Sequence, residues 1–577
     1  MIQKLNIPLL LRYLKPQWRR TALMTALLLG GIAFQAWGPQ VLKNFIDLVT
    51  RQGGAEELIR TALTFLGVVV TGQVVSALAV YTSAVVGWEA TNRLRADLAL
   101  HCLRLDMRFH HAHLPGEMIE RVDGDVGFLG NFFSQFVVQI AANAVLTLVI
   151  LVLTFRENIL AGTILVIFMT AALIFLLRVQ TVHGERFSQL REIQSRAVGF
   201  WEEMLTARED VKPLGAVVYV LRRNIDHVRE MFRSSRVATV LFRLSAATFS
   251  AVFIIGNAIT FAIGAALYGQ GEITIGGIYL LLYYTNLLAN NMRNIANQSN
   301  DFEQSLIVLQ RVNELTRTSS AIQDGPGTAT NQKAPAVEFD GVSFAYALDT
   351  PVLHGLSFQL PAGQTLGLLG RTGSGKSTIV RLLFRFYDPD QGAVRLDGID
   401  LRQARLGELR GAIGMVTQEV QIFQASARDN LTLFDETIPD ERVWQVIDEL
   451  GMGAWLRALP DGLDTPLSAD GGFSAGEEQL LALARVFLQN PHLVILDEAS
   501  SRLDPATEAQ LEQAIDRLLA GRTAIVIAHR LNTLRRVDQV LVLEEGSLVE
   551  YGPRERLAAD PGSTYNHLLK LGLEMLE

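Results

Sequence analysis

One glycine-rich stretch of this chain ends in a lysine and a serine, a combination that is typical of phosphate-binding loops. From Gly370 to Ser377 the sequence reads G-R-T-G-S-G-K-S, which matches the pattern G-x-x-x-x-G-K-[ST]. An apolar run from Gln364 to Leu369 precedes the loop, and a helix is predicted to begin at Thr378. The strand, loop and helix together predict a binding site for a nucleoside triphosphate.

Each part of this loop has a predicted role in holding the triphosphate. Its glycines let backbone N–H groups close around phosphate oxygens, and the N-terminus of the following helix adds partial positive charge. Lys376 is expected to reach the β- and γ-phosphates, and Ser377 is expected to bind Mg²⁺. The predicted nucleotide contacts here are Gly370, Arg371, Thr372, Gly373, Ser374, Gly375, Lys376, Ser377 and Thr378.

Two adjacent acids supply the second piece of phosphate chemistry. The apolar run Leu493–Leu496 is followed directly by Asp497 and Glu498. Carboxylates at the end of a buried strand lose solvation unless they hold a cation or accept hydrogen bonds. We therefore expect Asp497 to belong to the magnesium shell. Glu498 is the expected general base, which polarises the attacking water.

These residues lie in a region whose pattern predicts an α/β domain. Short β-type runs alternate there with amphipathic helices, which is typical of a mostly parallel sheet. The clearest runs are Thr365–Leu369, Ala393–Leu396, Leu493–Leu496 and Ala524–Ala528. A polar stretch rich in Gly, Ser, Thr and Pro predicts a linker at 316–335. The α/β P-loop ATPase domain is thus predicted at 336–577.

The preceding part, residues 1–315, has the pattern of a membrane domain. Six apolar runs contain no Asp, Glu, Lys or Arg, and each supplies or extends to the roughly 20 helical residues that cross a bilayer. Buried helices of a large soluble protein are the alternative, but they rarely recur in this way. We therefore predict an all-α transmembrane domain with six spans, Thr21–Trp37, Thr61–Trp88, Phe132–Phe155, Ile159–Leu177, Leu244–Tyr268 and Ile273–Leu288.

Composition and charge exclude some classes of function and predict how the chain is oriented in the membrane. Of the 577 residues, 49% are hydrophobic and 19% are charged, and the net charge of -8 gives no signal for nucleic acid. The single cysteine, Cys102, excludes an intrachain disulfide scaffold. The segment before the first span is basic and contains Lys4, Arg12, Lys15, Arg19 and Arg20. By the positive-inside rule, this predicts that the protein lies in the cell (inner) membrane with its N-terminus in the cytoplasm. Six crossings then also place the ATPase domain in the cytoplasm.

From about residue 335 the sequence resembles the ATP-binding-cassette ATPases. Phe473-Ser-Ala-Gly-Glu477 resembles the family signature loop, in which Ser474 and Gly476 match positions that contact ATP held by the opposite subunit. The resemblance further implies that Tyr346 stacks on adenine and that Gln418 senses Mg²⁺. It also implies that His529 contacts the γ-phosphate. Departures from the commoner pattern are Ala475, Glu477 and, in the loop Ser501–Asp504, Arg502.

Six spans followed by one cassette resemble the exporter half-transporters of the multidrug and lipid-flippase type. This resemblance implies a dimer with a second, identical or homologous chain, which binds two ATP with Mg²⁺ and moves cargo by alternating access. The long inside loops at 89–131 and 178–243 are predicted to be helical and to transmit the movement. Their coupling segments are expected at His113–Asp125 and Glu203–Gly215.

The cargo is the least determined part of the function. The span interiors offer polar but uncharged side chains, which favours an amphipathic drug, lipid or peptide. Side chains of this kind more often form interhelical contacts than bind a ligand. The polar residues in the spans are Gln73, Gln139, Asn143, Asn257, Tyr283, Tyr284 and Asn286. Three other interpretations remain: one subunit of a heterodimeric peptide exporter, an importer component, or a non-transporting, membrane-anchored regulatory ATPase.

Overall fold

The computed structural model describes residues 12–131, 138–297, 299–328, 334–347, 350–468, 474–497, 505–528 and 532–571. The chain divides into two compact units. The first comprises Met1–Leu103 and Pro115–Thr318, and the second comprises Arg104–Leu114 and Ser319–Glu577. The second unit thus includes a short piece of chain from between the first helices.

The chain up to residue 317 is helical apart from short turns, wherever it is described. Its α-helices are α1 (Trp18–Thr50), α2 (Ala55–Arg104), α3 (Met107–Ala112), α4 (Pro115–Ile119), α5 (Asp125–Asn131), α6 (Val138–Glu157), α7 (Ile159–Thr206), α8 (Arg208–Val211), α9 (Val217–Gly269), α10 (Ile275–Asn297) and α11 (Ser299–Arg317). A 3-10 turn, Lys15–Gln17, precedes α1, and a π turn, Glu120–Gly124, precedes α5. Residues 89–131 and 178–243, the predicted inside loops, are helical apart from short turns.

Each predicted span, as far as the structure describes it, falls mainly in one helix, although the sixth run begins two residues before its helix. The runs fall in α1, α2, α6, α7, α9 and α10, and 132–137 of the third run lie outside the described residues. Of the described helices, three have stretches long and apolar enough to cross a membrane, Arg12–Thr50, Ala55–Arg104 and Ala247–Gly269. Ile159–Phe175 forms a shorter apolar stretch.

An apolar core joins most of these span helices. It contains Ile32, Leu146, Leu165 and Leu280, and Tyr284 is completely buried within it. The Tyr284 hydroxyl accepts a hydrogen bond from Gln40 Nε2 at 3.0 Å and donates to the carbonyl of Ala36 at 3.3 Å. Tyr284 is therefore an interhelical contact, the alternative that the sequence left open for it.

Polar contacts also tie α1 to α6 and α10 near the end of each span. Lys43 forms an ion pair with Glu157, and their side chains are only 19% and 16% exposed. Asp47 accepts hydrogen bonds from the backbone N–H of Gly276 at 2.9 Å and from Thr274 Oγ1 at 2.8 Å. Lys43 and Glu157 are both largely desolvated, so removing either one would leave the other charge without its partner, a change that typically costs about 3–5 kcal/mol.

The second unit is built on β-sheets with helices around them. Its strands are β1 (Val337–Ala347), β2 (Thr350–Leu360), β3 (Thr365–Leu369), β4 (Gln391–Leu396), β5 (Ile399–Asp400), β6 (Ile413–Val416), β7 (Ala425–Ser426), β8 (Pro466–Leu467), β9 (Leu493–Asp497), β10 (Thr523–Ile527), β11 (Gln539–Glu544) and β12 (Ser547–Pro553). All four predicted β-runs are strands.

The helices of this unit follow the same chain order. They are α12 (Lys376–Leu383), α13 (Leu406–Ala412), α14 (Ala427–Thr432), α15 (Asp440–Glu449), α16 (Gly453–Ala458), α17 (Ala475–Gln489), α18 (Pro505–Leu519), α19 (Arg554–Ala559) and α20 (Thr564–Leu571). Short 3-10 turns lie at Leu401–Gln403, Gly462–Asp464 and Asn532–Arg536.

The main sheet has the strand order β12-β11-β3-β10-β9-β6. Its neighbours pair in parallel except for β12 at the edge, which is antiparallel to β11. A second, antiparallel sheet has the order β2-β1-β4-β5. Strands β3 and β10 are buried along their whole length, as the continuous apolar runs predicted. The fold class is therefore the predicted one, a helical membrane domain followed by an α/β ATPase domain.

The short helix α3 packs with the cassette that follows residue 319. Asp106 caps it by accepting from the Phe109 N–H at 3.0 Å, and its other oxygen accepts from the Ala321 N–H at 2.7 Å. Burial opposes ionisation of Asp106, but the N–H groups of Ala321, Phe109 and Arg108 outweigh it and lower the pKa of this carboxyl. Arg108 lies 3.4 Å from Asp390.

These contacts shift the first coupling segment along the chain. The sequence placed it at His113–Asp125, but the residues that pack with the cassette are Arg104–Leu114. A side-chain cap from Asp106, which precedes the predicted segment, starts the helix that packs there. The second segment, Glu203–Gly215, contains the turn of helix α8 and stays a prediction.

The predicted linker is partly structured. Helix α11 continues to Arg317, and Gly327 forms a bridge with Ala404. Gly325 donates its N–H to the carbonyl of Ala404 at 3.1 Å, and Asp324 accepts from the Leu406 N–H at 2.6 Å. Residues 319–327 thus run along the cassette, because the polar side chains that predicted a linker also form turns and caps.

Candidate nucleotide site

The phosphate-binding loop connects β3 to α12, at the carboxyl end of a central strand. Gly370, Gly373 and Gly375 have φ of +150°, +84° and +104°, values that side-chain-bearing residues rarely adopt. A Cβ on Gly370 would lie 2.4 Å from the carbonyl oxygen of Leu543, so the loop also passes close to neighbouring backbone. The sequence folds into this turn because glycine alone fits these positions.

Lys376 closes the loop from inside. Its side chain is 6% exposed, and Nζ donates hydrogen bonds to the carbonyl of Gly370 at 2.6 Å and to that of Arg371 at 3.1 Å. The Ser374 hydroxyl is buried in the same loop and has no hydrogen-bond partner within the described residues. By contrast, Ser377 is exposed in the first turn of α12. The loop therefore places the Lys376 ammonium group and the exposed Ser377 hydroxyl at the N-terminus of α12.

The parallel register brings further predicted residues to the same sheet edge. Ile527 of β10 is paired with Leu368 of β3 on one side and with Asp497 of β9 on the other. Strand β6 ends at Val416, which is paired with Leu496, so Gln418 follows two residues beyond this edge and is exposed. Carboxyl ends of parallel strands form the usual ligand crevice of such sheets.

Two of the predicted catalytic residues, Glu498 and His529, lie outside the described residues, as does Ser501–Asp504. Their neighbours are described: Asp497 ends β9, and Ala528 follows β10. Each of these strands runs parallel to the next and ends at the edge that carries the phosphate-binding loop. The assignment of Glu498 as base and His529 as γ-phosphate contact stays a prediction.

Tyr346 lies next to the helix that follows the loop. Its hydroxyl is 3.1 Å from Thr378 Oγ1 and accepts a hydrogen bond from Arg381 at 2.9 Å. The Arg381 guanidinium also lies 5.5 Å from the centre of its ring. Tyr387 packs edge-on against Tyr346 with ring centres 5.2 Å apart. The aromatic predicted to stack on adenine is thus fixed beside α12, and Tyr387 and Arg381 are positioning residues that the sequence did not reveal.

The signature loop begins α17 with a reciprocal cap. The Ser474 hydroxyl accepts from the Glu477 N–H at 3.3 Å, and a Glu477 carboxylate oxygen accepts from the Ser474 N–H at 2.8 Å. The Ser474 hydroxyl also lies 2.8 Å from that oxygen. Glu477 therefore holds the hydroxyl that is predicted to contact phosphate. The spacing Ser-x-x-Glu is the sequence signal of this capping box.

We expect Glu477→Gln to lower the KM for ATP rather than raise it. Glutamine can keep the cap by accepting from the Ser474 N–H, while the negative charge near the triphosphate is removed. The KM for ATP in steady-state hydrolysis should fall by roughly threefold to tenfold, as for the loss of one screened repulsion.

A matched control is available in the same turn. Glu478→Gln removes the same charge from the first turn of α17 without touching the cap. An equal fall of KM in both variants, or no change in Glu477→Gln, would contradict a specific effect of Glu477.

Comparison with known proteins finds two family models that match this chain. The family model described as ABC transporter transmembrane region matches residues 21–292, and the model described as ABC transporter matches residues 353–501. The ATP-dependent lipid A-core flippase of Alcanivorax borkumensis is 28% identical over 96% of this chain and 95% of its own length. A probable multidrug resistance ABC transporter ATP-binding/permease protein of Bacillus subtilis, YheH, is 39% identical over 52% of this chain and 45% of its own length.

A solved structure shows the same architecture along nearly the whole chain. The structure of a bacterial Atm1-family ABC exporter with ATP bound superposes with a TM-score of 0.81 at 27% identity. The similarity covers 96% of this chain and 99% of that one. The order of helical unit and sheet-containing unit is therefore shared from end to end.

Proposed function

Because this chain belongs to the ABC transporter family and is an ATP-hydrolysing exporter half-transporter in a membrane, we propose that it works as a dimer that sandwiches two ATP between its cassettes. ATP binding would bring the cassettes together, and hydrolysis would release them. The carrying observation is the loop between β3 and α12, in which buried Lys376 and three glycines with positive φ have the conformation expected of a phosphate cradle.

The signature loop supports the dimer. Ser474 begins a helix of fifteen residues, Ala475–Gln489, whose N-terminus favours an anion. Family members use this end for ATP bound to the opposite subunit, so one chain carries one half of each of two sites. We infer that the second chain is a homologous or identical half-transporter.

The residues at the sheet edge fit a magnesium ion. Ser377, Gln418 and Asp497 offer a hydroxyl, an amide and a carboxylate oxygen, and Mg²⁺ prefers oxygen ligands combined with substrate phosphates. Bound there, the ion would neutralise charge on the transferred phosphoryl group. Within the chain, Lys376 would orient the phosphates and Glu498 would take the proton of the attacking water.

The membrane unit supports an amphipathic cargo. Tyr284 and Gln40 are bonded to each other inside the helix core, so they are not free to bind cargo. In contrast, Asn286 is exposed and Asn257 is half-buried, and the two are bonded reciprocally at 3.1 Å, between α9 and α10. Tyr283, one turn away, is 38% exposed. Polar groups of this kind at bilayer depth are costly toward lipid, which favours a cargo cavity.

We propose that the N-terminus and the cassette lie in the cytoplasm, at the inner membrane of the cell. The cations that precede the first span support this orientation. Cargo would then move outward, or from the inner to the outer leaflet. Helix α3 packs beside Tyr387, where Arg108 pairs with Asp390, and it follows α2 in the chain. We infer from this connection that it transmits nucleotide state to the spans.

The decisive test combines mass, hydrolysis and vectorial movement. Purified protein should have the mass of a dimer by native mass spectrometry and should hydrolyse ATP. In inside-out vesicles, ATP should drive uptake of the amphipathic dye Hoechst 33342 or flipping of a fluorescent phospholipid. A fully active monomer would refute the sandwich. ATPase without movement of either probe would favour the regulatory ATPase, and movement in the opposite direction would favour an importer.

A further inference from the structure

A small group of exposed cations and one exposed tryptophan lies where the chain enters its first span helix. We call Arg12, Lys15, Trp18 and Arg19 the N-terminal patch; all four side chains are exposed, and Trp18 is 64% exposed. The Arg19 guanidinium lies 5.6 Å from the centre of the Trp18 ring. The predicted span begins at Thr21, two residues after Arg19, so we expect the patch at the level of the membrane surface.

The patch is held in place by its neighbours. The Tyr13 hydroxyl donates to Asp97 at 2.8 Å, and Arg20 pairs with Glu89. The start of α1 is thus fastened to α2 rather than left as a free basic tail.

The cations of the patch have no acidic partner in the part of the chain that the structure describes. Arg20 has a carboxylate partner, but Arg12, Lys15 and Arg19 pair with no carboxylate in the described part of the chain. The sequence before Arg12 contains no acid at all. Three cations within eight residues therefore face outward, next to an exposed ring that is amphipathic.

We propose that the N-terminal patch binds the headgroup phosphate of an anionic glycerophospholipid. Arginine and lysine donate to phosphate oxygens, and tryptophan rings prefer the headgroup level of a bilayer. The Trp18 ring beside the span indicates a lipid rather than free phosphate, because its apolar face needs an apolar neighbour. The two acids beside the patch are already engaged, Asp97 by Tyr13 and Glu89 by Arg20 and Arg93. This disfavours a zwitterionic headgroup, whose ammonium would have to compete for these carboxylates.

The test measures lipid binding to the complete protein. Native mass spectrometry would give apparent dissociation constants for phosphatidylglycerol, phosphatidylcholine and inorganic phosphate. We expect wild-type protein to prefer phosphatidylglycerol. At about fivefold per cation near an anionic surface, Arg12→Gln/Lys15→Gln/Arg19→Gln should weaken that binding by about one hundredfold. Binding of phosphatidylcholine should be unchanged.

The matched control removes three exposed arginines elsewhere in the same unit. These are Arg51, Arg60 and Arg156, which follow α1, begin α2 and end α6. Their replacement by glutamine should change phosphatidylglycerol binding less than threefold. Equal losses in both triple variants would overturn the proposal, as would unchanged binding in the patch variant. Equal competition by inorganic phosphate would overturn the lipid assignment.

A second measurement keeps the proposal testable if the triple variant assembles poorly. The single variant Arg19→Gln should lose about fivefold in phosphatidylglycerol affinity. In nanodiscs, phosphatidylglycerol should raise the melting temperature of wild-type protein relative to phosphatidylcholine, and Arg19→Gln should reduce that difference. If Arg19→Gln kept the full difference in melting temperature, lipid binding by the N-terminal patch would be contradicted. Basal ATPase in phosphatidylcholine reports separately on the transporter itself.

Discussion

Replacing Glu498 with glutamine is expected to lower steady-state ATP hydrolysis by roughly 10²–10⁴-fold, the usual contribution of a general base. The amide keeps the size of the side chain but cannot take the proton of the attacking water. ATP binding should persist, because the phosphate cradle, Lys376 and Ser377, is untouched. Phosphate release measures the first effect, and binding of a fluorescent ATP analogue measures the second.

The same substitution also tests the dimer. If hydrolysis is what releases two cassettes, Glu498→Gln with Mg²⁺-ATP should accumulate a closed pair, which cross-linking across the cassettes would detect. Glu555→Gln serves as the control, since this acid is 90% exposed on helix α19. Turnover within threefold of wild type in Glu498→Gln would remove Glu498 as the base.

Replacing Lys376 with alanine is expected to abolish function at an earlier step, by preventing tight ATP binding. Charge-assisted hydrogen bonds to phosphate are worth about 1.5–3 kcal/mol, which predicts a loss of roughly 10–100-fold in affinity. The loop also loses the contacts of Nζ with the carbonyls of Gly370 and Arg371. Equilibrium binding of a fluorescent ATP analogue is the direct measurement.

Arg371→Ala is the matched control for that experiment. Arg371 belongs to the same loop, but its side chain is exposed, and we predict that only its backbone contacts phosphate. Binding should therefore stay within threefold of wild type. An equal loss in both variants would mean that the loop as a whole had collapsed. Retained affinity in Lys376→Ala would contradict the predicted role of this lysine.

The nucleotide site was predictable because its signals are local. Gly370, Gly373 and Gly375 are placed by backbone conformations that glycine adopts easily, and an apolar strand fixes where the loop begins. The span helices were equally predictable, since their composition is dictated by the lipid. The structure changed neither the order of the domains nor the fold class.

Contacts between distant parts of the chain were not predictable in this way. Asp106 reads as an ordinary helix cap, and only the fold brings it to Ala321, 215 residues later. Likewise Tyr387 and Arg381 gain their positions beside Tyr346 through packing of two sheets and a helix. Glu477 is an intermediate case. The spacing Ser-x-x-Glu predicts the helix cap, but it does not predict the effect of the glutamate on a phosphate contact.

The docking of Arg104–Leu114 bears on how the ATPase can be studied in isolation. A soluble fragment that starts near Ser319 would lack Met107, which packs against the apolar core around Phe344, and would leave the Ala321 N–H without its acceptor. Kinetic values from such a fragment would describe an enzyme with a damaged surface. Truncation work on this molecule is best done by supplying the α3 peptide in trans, or by grafting it onto the fragment.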